Sequence, residues 1–216
     1  MNAKMRRARR TALAILKPCR RDLERGLALH ADAVVCDAYG FSPCSALDGR
    51  AVKEAMEAGA SAVEIHDMLE EMRMTRHLDD GGERREYREA WEAAGVTCIL
   101  QNAGEEGQSP LRMLKRLARF VRVTDVMRDF VCKAVGPDDI AAAKAAGKRC
   151  LYLTTNGVPL SEEWVSPEEE VRYIRIFFQM GVRMMHLTYN RRNMLGDGCA
   201  EPADAAPAGD DGGIPA

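Results

Sequence analysis

Long apolar runs are absent from this 216-residue sequence. No run approaches the roughly 18–20 residues that a membrane-spanning helix requires. The run Ala12–Leu16, near the start of the chain, is also shorter than the apolar core of a signal peptide, which has about 7–15 residues. The sequence therefore predicts a protein that has no membrane partner.

An excess of either charge is also absent. The 31 Lys and Arg residues are balanced by 33 Asp and Glu residues, which leaves a formal net charge of −2 at pH 7. Because nucleic-acid-binding domains normally carry a strong basic excess, this balance argues against a nucleic-acid partner. Hydrophobic residues make up 46% of the chain and charged residues 30%, which is typical of a globular protein with a sizeable core.

The seven cysteines include no CxxC pair, and their odd number and wide spacing give no sign of a disulfide framework. Cys36, Cys98 and Cys150 each lie in or beside an apolar run. We interpret them as reduced, buried residues of a cytoplasmic protein. The four histidines are too few and too scattered to form a recognisable metal-binding motif.

One pattern occurs three times, in residues 94–102, 146–156 and 180–190. In each copy a glycine that ends a helical segment is followed by an apolar run, and the run stops at an asparagine. Glycine is common where helices end, and near-continuous apolar runs are typical of parallel strands buried on both faces. With an earlier strand at 33–36, the sequence predicts four parallel strands.

Helical segments lie between these predicted strands. Asp48 and Ser166 are candidate N-caps, and Pro167 occupies the first-turn position that proline favours. Strands that alternate with helices indicate parallel βαβ units, so we predict an α/β fold. Its architecture is expected to be a partial (β/α)8 TIM-like barrel with about four of the eight βα units of a full barrel.

The sequence also predicts three regions along the chain. Residues 1–32 are expected to form an N-terminal helical segment, and residues 33–199 the partial barrel. Residues 200–216 are expected to be a disordered tail, because this stretch is rich in Ala, Pro, Gly and Asp and cannot bury an apolar face.

Polar side chains are expected to meet where the predicted parallel strands end, since sites in such folds form at the carboxyl ends of strands. The candidate substrate-binding residues are Asp37, Tyr39, Asn156, Tyr189, Asn190 and Asn193. Amides and hydroxyls dominate this set. The expected partner is therefore a small polar or peptide ligand.

Residues 181–205, GVRMMHLTYNRRNMLGDGCAEPADA, resemble bacterial members of the membrane (renal) dipeptidase family, and weaker similarity extends back to the first predicted strand. The resemblance implies a (β/α)8 barrel that hydrolyses dipeptides at a pair of zinc ions. Two zinc ions that share a bridging carboxylate acidify a water molecule and polarise the peptide carbonyl.

The sequence departs from this family at the implied metal ligands. The family's Asp-x-His-x-Asp is matched by residues 37–41, so Tyr39 replaces the histidine and Phe41 replaces the second aspartate. Asn156 stands where the family has its bridging glutamate. The remaining family ligands lie on later strands, and this chain stops before them. We therefore expect a truncated chain that binds no zinc and is inactive alone.

Three interpretations stay open. The chain is a dipeptidase-like metallohydrolase, of which it forms the N-terminal part or a diverged copy. Alternatively, it is a non-catalytic barrel fragment that binds a small molecule or peptide. In the third interpretation it is an inactive truncated gene product. Because half a barrel exposes open strand edges, a homo-oligomer formed through these edges is expected.

Overall fold

The computed structural model describes residues 2–104, 110–158, 166–193 and 195–200. Two helices, α1 (Ala3–Leu16) and α2 (Arg20–Asp32), occupy the predicted N-terminal segment, and neither buries a side chain. Apart from Ala200, the predicted tail lies outside the described residues. No helix within these ranges has both the length and the apolar character needed to cross a bilayer.

Helices and strands alternate along the rest of the chain, as predicted. In order they are β1 (Cys36–Gly40), α3 (Gly49–Glu57), α4 (Ala62–Thr75), a 3₁₀ turn (Arg76–Leu78), α5 (Gly81–Ala94), β2 (Cys98–Gly104), α6 (Pro110–Val126), β3 (Val131–Ala134), α7 (Pro137–Ala145), β4 (Arg149–Thr155), α8 (Pro167–Gln179) and β5 (Met184–Met185).

All strand pairs in the sheet are parallel, and the strand order is β1-β2-β4-β3. The central strand β4 pairs along its length with β2. Its other edge is shared, because β3 pairs with residues 149–152 and β5 pairs with Thr154 and Thr155. The fold is therefore an α/β partial barrel, as predicted.

The structure corrects three details of the predicted strands. The first strand begins at Cys36 rather than at residue 33, because pairing starts where the Val35 carbonyl accepts hydrogen bonds from the backbone N–H groups of Thr97 and Cys98. The short strand β3 was not predicted. The last predicted strand is reduced to the two residues of β5, because only Thr154 and Thr155 are left to pair with it.

The strand order places helices on both faces of the sheet. On its way from β2 to β3 the chain passes the position of β4 in the sheet. From β3 it then turns back across the sheet to form β4. Right-handed crossovers therefore put α6 and α7 on opposite faces. The observed packing agrees, since Leu117 of α6 contributes to one apolar cluster and Ala143 of α7 to another.

The larger cluster lies between the sheet and helices α5, α6 and α8. Its most deeply buried large side chains include Trp91, Met113, Leu117, Leu151 and Leu153. On the opposite face, α7 packs near Cys98 and Cys150, close to the amino ends of the strands. The carboxyl half of that face is left for polar residues.

We expect Trp91→Ala to lower the free energy of unfolding by about 3–5 kcal/mol, because it removes a large side chain from a packed core. Trp91 is 1% exposed. Val63→Ala is the matched control, because Val63 is 71% exposed on α4. Urea denaturation measures both variants, and equal effects would contradict this description of the core.

Candidate functional site

Three aromatic side chains meet at the carboxyl edge of the sheet. Tyr39 lies on β1, His186 directly follows β5, and Tyr189 lies three residues further on. The rings of Tyr39 and His186 stack with centroids 5.3 Å apart, and those of His186 and Tyr189 with centroids 6.1 Å apart. We call these three residues the aromatic platform.

Asn156, which directly follows β4, joins the aromatic platform. The Tyr39 hydroxyl donates a hydrogen bond to the Asn156 side-chain oxygen across 117 residues of chain. Both side chains are partly exposed. Two of the predicted site residues are thus brought into direct contact, and a third, Tyr189, lies in the same aromatic stack.

Backbone hydrogen bonds between strands hold these groups in place. The Asn156 N–H donates to the Gly104 carbonyl at 2.9 Å, and the His186 N–H donates to the Thr155 carbonyl at 3.1 Å. Thr155 is itself fixed, because its hydroxyl donates to the Gly157 carbonyl at 2.6 Å. The site is therefore built on the paired ends of β2, β4 and β5.

The Asp37 side chain forms a hydrogen bond within its own strand. Because β1 starts later than predicted, Asp37 lies within the strand, where one carboxylate oxygen accepts a hydrogen bond from the Tyr39 N–H at 3.3 Å. A Cβ atom at Gly40 would lie 2.3 Å from the other oxygen. The carboxylate thus folds back on its own strand, close to the irregular register between Asp37 and Gly40.

The amides of Asn190 and Asn193 stabilise the turn that follows β5. The side-chain oxygen of Asn190 accepts from the Cys199 thiol at 3.3 Å. Asn193 donates to the Leu187 carbonyl at 2.7 Å and accepts from the Leu195 N–H at 2.7 Å. These bonds give both predicted site residues a structural role in that turn.

The residues at the implied zinc positions do not fit a zinc pair. Tyr39 and Asn156 are hydrogen-bonded to each other, and the apolar Phe41 is 62% exposed and lines a separate cavity. In the part of the chain that the structure describes, no three His, Cys, Asp or Glu side chains are grouped so that they could hold a metal ion. No hydrolytic step through zinc follows from this site.

His186 is a site residue that sequence reasoning missed. The apolar run 182–187 predicted a strand that continued past this residue, which would place the ring inside the sheet. Because β5 ends at Met185, His186 instead lies at the carboxyl edge between two tyrosines. Its position near the end of that run, just before the polar segment 188–193, was the available signal.

A second polar cluster lies below the loop that follows β1. His77 and Tyr87 are 1% and 4% exposed, and their rings are parallel with centroids 4.0 Å apart. They line a cavity of about 60 Å³. The Ser45 hydroxyl lies 3.1 Å from His77 Nδ1 and accepts from the His77 N–H at 3.0 Å. Burial lowers the pKa of His77 to about 4 and raises that of Tyr87 to about 12.

Comparison with known proteins finds a protein of similar structure. No family model and no curated protein matches the sequence. Among solved structures, an amidohydrolase from Pseudomonas aeruginosa is similar, with a TM-score of 0.51 and 19% sequence identity. The likeness covers 82% of this chain and 40% of the amidohydrolase chain. At this identity it shows a shared fold.

We expect His77 to make the protein less stable as the pH falls from about 6.5 to about 4, because across this range the unfolded histidine takes up a proton that the buried ring does not. His77→Gln removes this proton uptake and should flatten the dependence of unfolding free energy on pH over that range. Urea denaturation at several pH values measures the slope. Equal slopes in the two proteins would contradict the assignment of this pH dependence to His77.

Proposed function

We propose that this chain is a diverged relative of the dipeptidase-like metallohydrolases and that it binds a dipeptide or a similar small polar ligand without zinc. Two observations support this relationship. Residues 181–205 resemble the membrane dipeptidase family, and the fold is similar to that of an amidohydrolase. The chain spans 40% of the length of that amidohydrolase.

The main support for binding without metal is the hydrogen bond between Tyr39 and Asn156. In the membrane dipeptidase family, which the sequence resembles, both positions hold zinc ligands. Here a neutral hydroxyl and a neutral amide bond to each other instead. A phenol and an amide are poor ligands for a pair of dications, for which histidine and carboxylate ligands are usual. The same two groups are good partners for the polar atoms of a peptide.

The chemistry of the remaining groups suits a peptide ligand. The amide of Asn156 has two N–H donors that suit a peptide carbonyl, and its oxygen, which accepts from Tyr39, has a second lone pair that suits a peptide N–H. The aromatic platform offers flat apolar surface beside these groups. Partly exposed side chains at this edge leave the site open to a ligand of a few residues.

Hydrolysis of dipeptides by a zinc enzyme is the second candidate. The observation that favours it is the structural likeness to an amidohydrolase. It requires ligands that the described residues do not group together. Assays of dipeptide hydrolysis with added zinc separate the two candidates, because binding without zinc predicts no turnover.

We expect isothermal titration with alanyl-alanine, in the presence of EDTA, to show binding to the unaltered chain. Tyr39→Phe keeps the ring but removes the hydrogen bond to Asn156, so it should weaken binding by about 5–10-fold, equivalent to about 1–1.4 kcal/mol. Tyr173→Phe is the matched control, because Tyr173 packs against Phe177 on α8, outside the site.

Two results would contradict this proposal. One is a folded protein that binds no dipeptide in EDTA, and the other is an equal loss of affinity in Tyr39→Phe and Tyr173→Phe. Hydrolysis that depends on added zinc would favour the metallohydrolase candidate instead.

We also propose that copies of the chain associate through the edge of β1. Among the described strands, β1 pairs with β2 alone, and Val34 beside it is 50% exposed. An open strand edge presents unpaired backbone groups to another chain. Sedimentation equilibrium should therefore show a dimer that Ala38→Pro weakens, because proline removes a backbone donor from the edge. A monomer at every concentration would contradict this.

A further inference from the structure

Four of the seven cysteines form a single row across the sheet. In the strand register, Cys36 pairs with Cys98, Cys98 with Cys150, and Cys150 with Cys132. Each of the four main strands thus contributes one cysteine at the same level. We call these four residues the cysteine row.

The cysteine row lies on the face of the sheet that α7 covers. Directly paired residues of neighbouring strands point to the same face, so the four side chains share it. Cys98 and Cys150 belong to the smaller apolar cluster with Ala143 of α7, and Cys132 packs against that cluster. The thiol of Cys98 interacts with the thiols of both Cys36 and Cys150.

The two ends of the cysteine row differ in their partners. The Cys150 thiol donates to the Thr97 carbonyl at 3.6 Å, and the Cys132 thiol donates to the Arg149 carbonyl at 3.5 Å. At the other end, Cys36 is exposed on the edge strand and its neighbour Cys98 has no exposed surface. The pair Cys36–Cys98 therefore joins an accessible thiol to a protected one.

We propose that Cys36 and Cys98 form a redox-active dithiol that reacts with hydroperoxides. Hydrogen peroxide oxidises the exposed Cys36 thiol to a sulfenic acid and is reduced to water. The Cys98 sulfur then attacks the Cys36 sulfur, which forms the disulfide and releases a second water molecule. Overall, two thiols lose two electrons and two protons, and one peroxide gives two water molecules.

The backbone geometry permits this bond. Neighbouring strands lie about 4.7–4.9 Å apart, and the Cα atoms of disulfide-bonded cysteines lie about 4.4–6.8 Å apart. The row is linear, so its thiols meet in pairs and do not converge around one metal ion.

The acidity of Cys98 agrees with its role as the attacking sulfur. The neighbouring Cys150 side chain lowers the pKa of Cys98. Burial raises the pKa of Cys36, so its exposure on the edge strand, and not its acidity, is what makes it the thiol that peroxide reaches. A lower pKa increases the thiolate fraction of Cys98, and the thiolate is the form that attacks sulfur. The resulting disulfide would tie β1 to β2 beside Asp37 and Tyr39.

The test treats the full chain with one equivalent of hydrogen peroxide and maps its tryptic peptides without reduction. We expect a cross-link between the peptide 26–50, which carries Cys36 and Cys44, and the peptide 89–112, which carries Cys98. Free thiols should fall from seven to five and return to seven with dithiothreitol.

Two variants assign the cross-link within the first peptide. Cys36→Ser should abolish it, and the matched control Cys44→Ser, an exposed cysteine outside the row, should keep it. Cys36 lies at the surface, so its replacement leaves the apolar core intact. A cross-link that survives in Cys36→Ser, or oxidation of Cys36 without any link to Cys98, would overturn the proposal.

Discussion

The pairing of β4 determines the rest of the structure. One edge of β4 is filled by β2, and its other edge is divided between β3 at the start and β5 at the end. This division makes the chain cross the sheet in one direction from β2 to β3 and return in the other from β3 to β4. It therefore sends α7 to the face opposite α6 and places the ends of β1, β4 and β5 at one edge. The aromatic platform, Asn156 and the cysteine row all follow from this arrangement.

The elements that the sequence predicted well are those with strong local signals. The helix starts at Asp48 and at Ser166 are confirmed, because each side chain accepts hydrogen bonds from the first turn of its helix. The apolar runs of β2 and β4 are also confirmed. The strand β3 was missed because four residues give too short a run, and its place beside β4 depends on contacts that are distant in sequence.

The candidate site was only partly predictable for the same reason. Tyr39 and Asn156 were selected by their polar type and by their positions after predicted strands, and the fold brings them together. Asn190 and Asn193 have the same chemistry, but the turn after β5 uses their amides for its own hydrogen bonds. A sequence shows which groups are polar, but it does not show which of them the nearby backbone will occupy. The alignment of four cysteines in one register is likewise a property of the folded sheet.

Tyr39 and Asn156 bond to each other at the two positions where the resemblance to the membrane dipeptidase family implies zinc ligands. Zinc titration of the purified chain against a chromogenic chelator tests this claim most directly. Our account predicts that the chain takes no zinc from a chelator with a dissociation constant of about 1 nM, since structural and catalytic zinc sites need three or four well-placed nitrogen, sulfur or carboxylate ligands. Two equivalents of zinc bound per chain, lost on Asn156→Ala, would contradict it.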